Sequence, residues 1–261
     1  MIYIMMNNDA FAIDAIPRRV LHLIFLVDTS GSMQGAKIAS LNTAVREALN
    51  DVGEISRNNS DAQVKVAALE FASDVRWMYP QPQDSETFRW IDLKAGGLTS
   101  LGAAYNELNG KLSRSHGFMA EPAGVKSPAV ILITDGQPTD DYKSALSRLK
   151  GNPWFQVGIK IAIAVGDEET NIDTLTEFTG NREAVITVHN VEQLKKIIHA
   201  VSVSITESGT KGSSAGGSAN APKSPSDEVN ENLKAAIAND PVLESVDQGD
   251  RKPNSGMDAF F

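Results

Sequence analysis

Six apolar runs of five to nine residues punctuate the first two hundred positions, and polar, periodic stretches separate most of them. The runs at residues 21–27, 64–71, 129–134, 157–165 and 184–188 are dominated by Val, Ile, Leu and Ala without strict alternation. Strands buried on both faces read this way. A sixth run, 75–79, follows a tight turn at Ser73-Asp74 and is expected as an antiparallel edge hairpin. Between the runs the period changes. Ile38, Leu41, Val45, Leu49 and Val52 fall three or four residues apart, which predicts a helix over 37–55 with one apolar stripe. Further helices are expected over 101–112, 142–149, 172–178 and 191–203. Alternating strands and helices imply a mostly parallel sheet covered on both sides. The expected fold is therefore α/β: a doubly wound, Rossmann-like, six-stranded sheet with one short antiparallel edge strand. Such sheets bind ligands beyond the carboxyl ends of their strands, where the strand order reverses. The loops after 21–27 and 129–134 are the places to examine.

Composition then divides the chain. Residues 208–225 are mostly Gly, Ser, Ala, Thr and Lys and end in prolines, too small and polar to build a core. The expected organisation is an N-terminal arm (1–17), the α/β domain (18–206), a linker (207–226) and an acidic tail (227–261). The tail holds eight Asp and Glu against three Lys and Arg. It reads either as a disordered segment or as a tethered peptide that docks a partner or the domain's own site, with a short helix over 230–238 presenting Leu233 and Ile237.

Of the 261 residues, 41% are hydrophobic, enough for one good-sized core. A net charge of −9 repels phosphate backbones and argues against a nucleic-acid partner. The chain has no cysteine, which removes thiolate catalysis, disulfides, zinc fingers and iron–sulfur clusters. It also fits a reducing compartment. The longest mainly apolar run, residues 20–27, is far shorter than the roughly 20 residues of a membrane-spanning helix. The first residues lack a basic leader, and Asp9 and Asp14 follow closely, which reads poorly as a signal peptide. The expectation is a cytoplasmic protein without membrane contact.

The candidate chemistry lies in three loops. After the first strand the chain reads Asp28-Thr29-Ser30-Gly31-Ser32, one carboxylate followed by hydroxyls at i+2 and i+4. After the run 129–134 comes Asp135-Gly136. Between them, Gly96-Gly97-Leu98-Thr99-Ser100-Leu101-Gly102 opens a helix with further hydroxyls. Oxygen is the donor that hard cations prefer. The combination DxSxS, a threonine in GGxTSLG, and TDG resembles the metal-ion-dependent adhesion site of von Willebrand factor A (VWA) domains, over roughly residues 18 to 205. The resemblance implies that Asp28, Ser30, Ser32, Thr99 and Asp135 hold a metal ion, with Ser100 the neighbouring hydroxyl that could replace Thr99. It implies Mg²⁺, with Mn²⁺ or Ca²⁺ as alternatives, and a protein partner that supplies an Asp or Glu to the ion. Arg18-Arg19, the stretch 135–141 and the stretch 201–205 are similar to the bacterial TerY-like, tellurium-resistance-type members. That likeness implies a stress-response or defence scaffold working with a Ser/Thr kinase and a type-2C protein phosphatase.

Plainer readings stand beside these. Asp28, Ser30 and Ser32 taken alone are good helix caps. The segment Pro138-Thr139-Asp140-Asp141 is expected to cap the helix that follows it, with Thr139 or Asp140 at the N-cap. His22, His116, His189 and His199 share no helix-face spacing and are expected as packing or surface residues. A Mg²⁺-dependent hydrolase of phosphate esters would want a second carboxylate at position 30, which is serine. A nucleotide-binding module would want GxxxxGK[ST] or GxGxxG, and neither is present; a serine hydrolase would want a GxSxG elbow between a strand and a helix, and no such elbow is present. A metal-free scaffold, or an adaptor for an AAA ATPase, remains within the binding class.

Overall fold

The computed structural model describes residues 17–166, 172–211 and 223–249. The N-terminal arm up to residue 16, the middle of the expected linker and the tail beyond residue 249 lie outside the described residues. Strand β1 (Arg19–Asp28) is the centre of the sheet. On one side it pairs in parallel with β2 (Ala62–Phe71), on the other with β5 (Ala129–Thr134). Strands β6 (Ile159–Val165) and β7 (Val185–Val188) continue the parallel run outward from β5. Strand β3 (Val75–Trp77) pairs antiparallel with β2, as the Ser73-Asp74 turn predicts.

Two further strands were not legible in the sequence. Strand β4 (Gln83–Asp84) lies antiparallel on β2, and β8 (Asp247–Gln248) lies antiparallel on β7, so the sheet has eight strands rather than six. Each is two residues long, too short for any alternation to show.

Successive residues of β1 point to opposite faces, and both faces are buried. Leu21, Leu23, Phe25 and Val27 meet α1 (Ala36–Asn58) and α6 (Val191–Thr210). Ile24 and Leu26 meet α2 (Leu101–Lys111), α3 (Tyr142–Lys150) and α5 (Ile172–Thr179). The stripe predicted for α1 is the stripe that packs, since Ile38, Leu41, Val45, Leu49 and Val52 are all buried. Its C-terminus is closed by Arg18, whose Nη1 donates to Ser56 O at 2.7 Å and Asn59 O at 2.8 Å. Before β6, Val157, expected to begin that strand, instead ends a short helix, α4 (Pro153–Val157), with Pro153 in its first turn and Asn152 as its cap.

The C-terminal part differs most from expectation. Helix α6 passes the expected boundary after residue 206 and ends at Thr210, with Ser204, Thr206, Ser208 and Thr210 buried. A side chain at Gly209 would stand 2.8 Å from Leu21 Cδ2, so small residues are what let this helix lie against β1. Composition that reads as linker is here a close-packing surface. Helix α7 (Pro225–Asn239) starts five residues earlier than predicted, with Ser224 accepting from Asp227 N and proline at its first position. It buries Val229, Leu233 and Ile237 in the core. Leu243 and Val246 follow, and Lys196 pairs with Asp240 at 2.6 Å. The described part of the segment expected as a tail thus lies against α6 and β7, on the sheet's flank. No helix among the described residues is long and apolar enough to cross a membrane.

Candidate metal centre

The strand order turns around at β1. The chain goes from β1 outward to β2 and later returns to the other side at β5, leaving a crevice above the carboxyl ends of these two strands. Val27 lies opposite Ile133, so Asp28 and Thr134 end their strands side by side. Thr134 Oγ1 donates to Asp28 Oδ2 at 2.6 Å. Asp28 Oδ1 accepts from the Ser30 N–H at 2.8 Å. The Ser30 and Ser32 hydroxyl oxygens are 3.0 Å apart, and Ser32 Oγ donates to Asp135 Oδ1 at 2.7 Å. The other Asp135 oxygen accepts from Lys37 Nζ at 2.5 Å.

Thr99 reaches the same place from a third loop. A methyl group placed on Gly136 would stand 3.2 Å from Thr99 Oγ1 and 3.5 Å from both Asp28 Oδ2 and Ser32 Oγ. Gly136 therefore faces a cradle into which three side-chain oxygens converge, and a larger residue would fill it. All five residues singled out in the sequence are brought together. Ser100 is not: its hydroxyl donates to Ser73 O at 3.4 Å, on a different loop.

Backbone bonds sew these loops to one another. Gly96 N donates to Thr29 O at 2.7 Å, and Gly31 N to Gly97 O at 3.0 Å. Gly97 has φ +90°, and a side chain there would meet Ser73 Oγ at 2.7 Å, so glycine is required twice over. The segment 138–141 corrects its sequence-based reading. Asp141, not Thr139 or Asp140, caps α3 by accepting from Ser144 N at 3.3 Å. Asp140 instead accepts from Gly102 N at 2.9 Å and Ala103 N at 3.0 Å, capping α2 from across the crevice. Thr139 donates from N and Oγ1 to Thr99 O. An orphan helix end offers N–H groups to any nearby carboxylate, and spacing along the chain does not reveal which helix receives one. Thr139 thereby fixes Thr99, and Asp140 the helical turn that follows it.

Asp28, Ser30, Thr99 and Asp135 are buried, whereas Ser32 and, at 60% exposure, Leu98 sit at the open rim. Burial pushes the Asp28 carboxyl above its ordinary range. The Thr134 hydroxyl and the Ser30 N–H and hydroxyl pull it back, and the nearby Asp135 carboxylate raises it further. Two carboxylates drawn into one buried corner call for a cation. The donors are all oxygen, two charged and three neutral, which suits a small hard divalent ion. Among the described residues no cluster of three or more His, Cys, Asp or Glu exists; the hydroxyls complete this site. Sequence reasoning missed Thr134, Lys37 and Asp140. Thr134 was visible only as a strand end and as the first letter of TDG, with no role assigned to it, and nothing in the sequence pointed to Lys37.

The chain matches the von Willebrand factor type A domain over residues 22–200 and belongs to that family. It is 28% identical over 185 residues to the human collagen alpha-6(VI) chain, a match covering 67% of this chain and 7% of the collagen chain. Among solved structures it is similar to the pilus adhesin SpaC from Lactobacillus rhamnosus GG, with a TM-score of 0.58 and 12% identity over 73% of this chain and 30% of that one. It is also similar to proximal thread matrix protein 1 from the mussel byssus with a zinc-occupied MIDAS motif, at TM-score 0.53 and 16% identity, covering 72% of this chain and 48% of that one. The chain thus spans less than half of each of these proteins, and the two structural likenesses concern the fold.

Proposed function

We propose that this domain is a protein-binding module that reads a partner's carboxylate through a divalent cation, and that it is not an enzyme. The observation that carries this reading is the convergence of Thr99, Asp28 and Ser32 on the cradle at Gly136, linked through hydroxyls to Ser30 and Asp135. Asp28, Ser30, Ser32, Thr99 and Asp135 would hold the ion. Mg²⁺ suits a small oxygen site, with Mn²⁺ or Ca²⁺ as alternatives. The zinc-occupied motif of the mussel protein supports reading this corner of the fold as a divalent-cation site. When bound, the ion supplies an electrophilic position that an Asp or Glu of a partner can complete, a directional anchor at the centre of an interface. The exposed rim at Ser32 and Leu98 leaves such a group room to approach.

The finer reading is a cytoplasmic scaffold or adaptor in a bacterial stress-response or defence system, with a Ser/Thr kinase or a type-2C phosphatase as partner. It rests on the TerY-like wording. Parts of that wording also have tasks in this fold: Arg18 closes α1, Thr139 and Asp140 hold Thr99 and α2, and Ser202 and Ser204 are buried in α6. A Mg²⁺-dependent phosphate-ester hydrolase is the alternative of another class. It would need a proton-transferring group at position 30, where the Ser30 hydroxyl is engaged with Ser32.

The deciding experiment is affinity capture from native cell extract in Mg²⁺ or EDTA, with wild type and Asp28→Ala. A partner held by wild type in Mg²⁺ and lost under both other conditions is expected. A partner retained throughout would move the interface away from this site, and Mg²⁺-dependent turnover of a generic phosphate ester would favour the hydrolase.

A further inference from the structure

Lys37 stands in the first turn of α1, and its ammonium is 2.5 Å from Asp135 Oδ2. This placement opposes the helix it belongs to. The N-terminal turn carries the positive end of the helix dipole and favours acids. Helix α1 has no acid in that turn and no side-chain cap, and it carries a lysine there instead. A residue that contradicts its own element points to a gain made elsewhere. Here the gain is Asp135, whose side chain is fully buried while that of Lys37 is 39% exposed. Lys37 brings a positive charge to a carboxylate that has left water, yet keeps a path back to solvent.

The charges of the site add up unevenly. Asp28 and Asp135 carry two negative charges, and a divalent cation would cancel both. Lys37 then becomes surplus, and its ammonium would compete with the ion for the same Asp135 carboxylate.

We infer that Lys37 is a tethered counter-ion of the site, an inference that rests on the cation-binding reading above. It holds Asp135 while no divalent ion is bound and gives it up as the ion enters. Cation binding therefore works against Lys37, and the site is set to a weaker, more easily reversed affinity than its oxygen ligands alone would confer. The displaced ammonium stays attached to the first turn of α1, beside the rim. With the ion bound, the site carries one positive charge in excess, which matches a single carboxylate from a ligand.

The test uses the purified full chain titrated with Mn²⁺, with free ion read by electron paramagnetic resonance. Lys37→Met should bind Mn²⁺ about tenfold more tightly than wild type, the scale of one partly exposed ion pair. Lys37→Gln should do the same, and Lys37→Arg should stay close to wild type. In an Asp135→Asn background the gain from Lys37→Met should fall below about twofold, because the competed carboxylate is gone. Circular dichroism checks that each variant is folded. Mn²⁺ binding to wild type that Lys37→Met and Lys37→Gln leave unchanged or weaken would overturn the counter-ion role alone. No Mn²⁺ binding by wild type or by either neutral variant would overturn the cation reading along with it.

Discussion

Strand β1 buries an ionisable side chain near each end, and the two could hardly be treated more differently. Asp28, at the carboxyl end, is wholly buried, yet both of its oxygens accept hydrogen bonds, from Thr134 and from Ser30. His22, near the start, is equally buried, and neither ring nitrogen has a hydrogen-bond partner among the described residues. Glu121 stands 3.7 Å from its Nε2, beyond hydrogen-bond reach, and is itself held by Lys65 at 2.7 Å. Burial pushes His22 down to about 4; Glu121 opposes this and Lys65 adds to it. Buried charge is tolerated where a network surrounds it, and elsewhere the group stays neutral. The networked end is the end with a candidate function.

The largest effect should come from breaking the orphaned end with acid. Above pH 6.5 His22 is neutral in the folded and unfolded chain and contributes no pH dependence. As pH falls through 6.5 the unfolded chain takes up a proton that the folded chain refuses until about pH 4. Stability should therefore drop across that window by about 3 kcal/mol. Urea unfolding at pH 7 and pH 4 should show this loss in wild type, in excess of that in His22→Leu. Equal losses would mean that His22 is already charged or solvated when folded.

Next in size is Thr134→Val at the networked end. Removing a hydrogen bond to a buried carboxylate should cost about 2 kcal/mol of stability at pH 7. An unchanged unfolding midpoint would show that Asp28 does not depend on this donor and would weaken the contrast with His22. Asp140→Ala should cost about 1 kcal/mol through the lost cap on α2. Because Asp140 fixes the helical turn that follows Thr99, the substitution should also weaken Mn²⁺ binding, read in the same titration; intact binding would separate the cap from the site. The smallest effect sharpens the comparison from a second orphan. The Tyr105 hydroxyl is buried without a partner among the described residues, beneath a ring stacked on Phe178 at 5.4 Å. Tyr105→Phe should leave thermal stability unchanged or raise it by up to about 1 kcal/mol. A loss would reveal a partner for the hydroxyl.

Much of this was legible in the sequence, and unevenly so. The six longer strands and five of the helices announce themselves by period, because each must hide one stripe or two faces. The five candidate ligands are legible because their residue types recur in a recognisable order, after two strands and before one helix. The roles of Thr134, Lys37 and Asp140 are not, since they depend on partners 37 to 106 positions away. The C-terminal segment misleads for another reason. Ser208, Gly209 and Thr210 look like linker composition, yet they lie in α6, where Gly209 allows the helix to approach Leu21. Helix α7 carries its apolar residues at helical spacing, but an acidic composition outweighs them when no packing surface is in view.

By itself, then, the sequence determined the alternation of buried strands and amphipathic helices, the crevice where ligands belong, and the oxygen-rich residues that face it. These follow from local period and side-chain chemistry, which every short window of the chain carries. Only the tertiary structure decided that Asp140 caps α2 rather than α3, that Lys37 pairs with Asp135, that His22 has no hydrogen-bond partner among the described residues, and that residues 225–249 close the flank at α6 and β7. Each of these is a choice among partners distant along the chain, made by whichever pairing leaves the fewest buried polar groups unsatisfied and the least apolar surface in water.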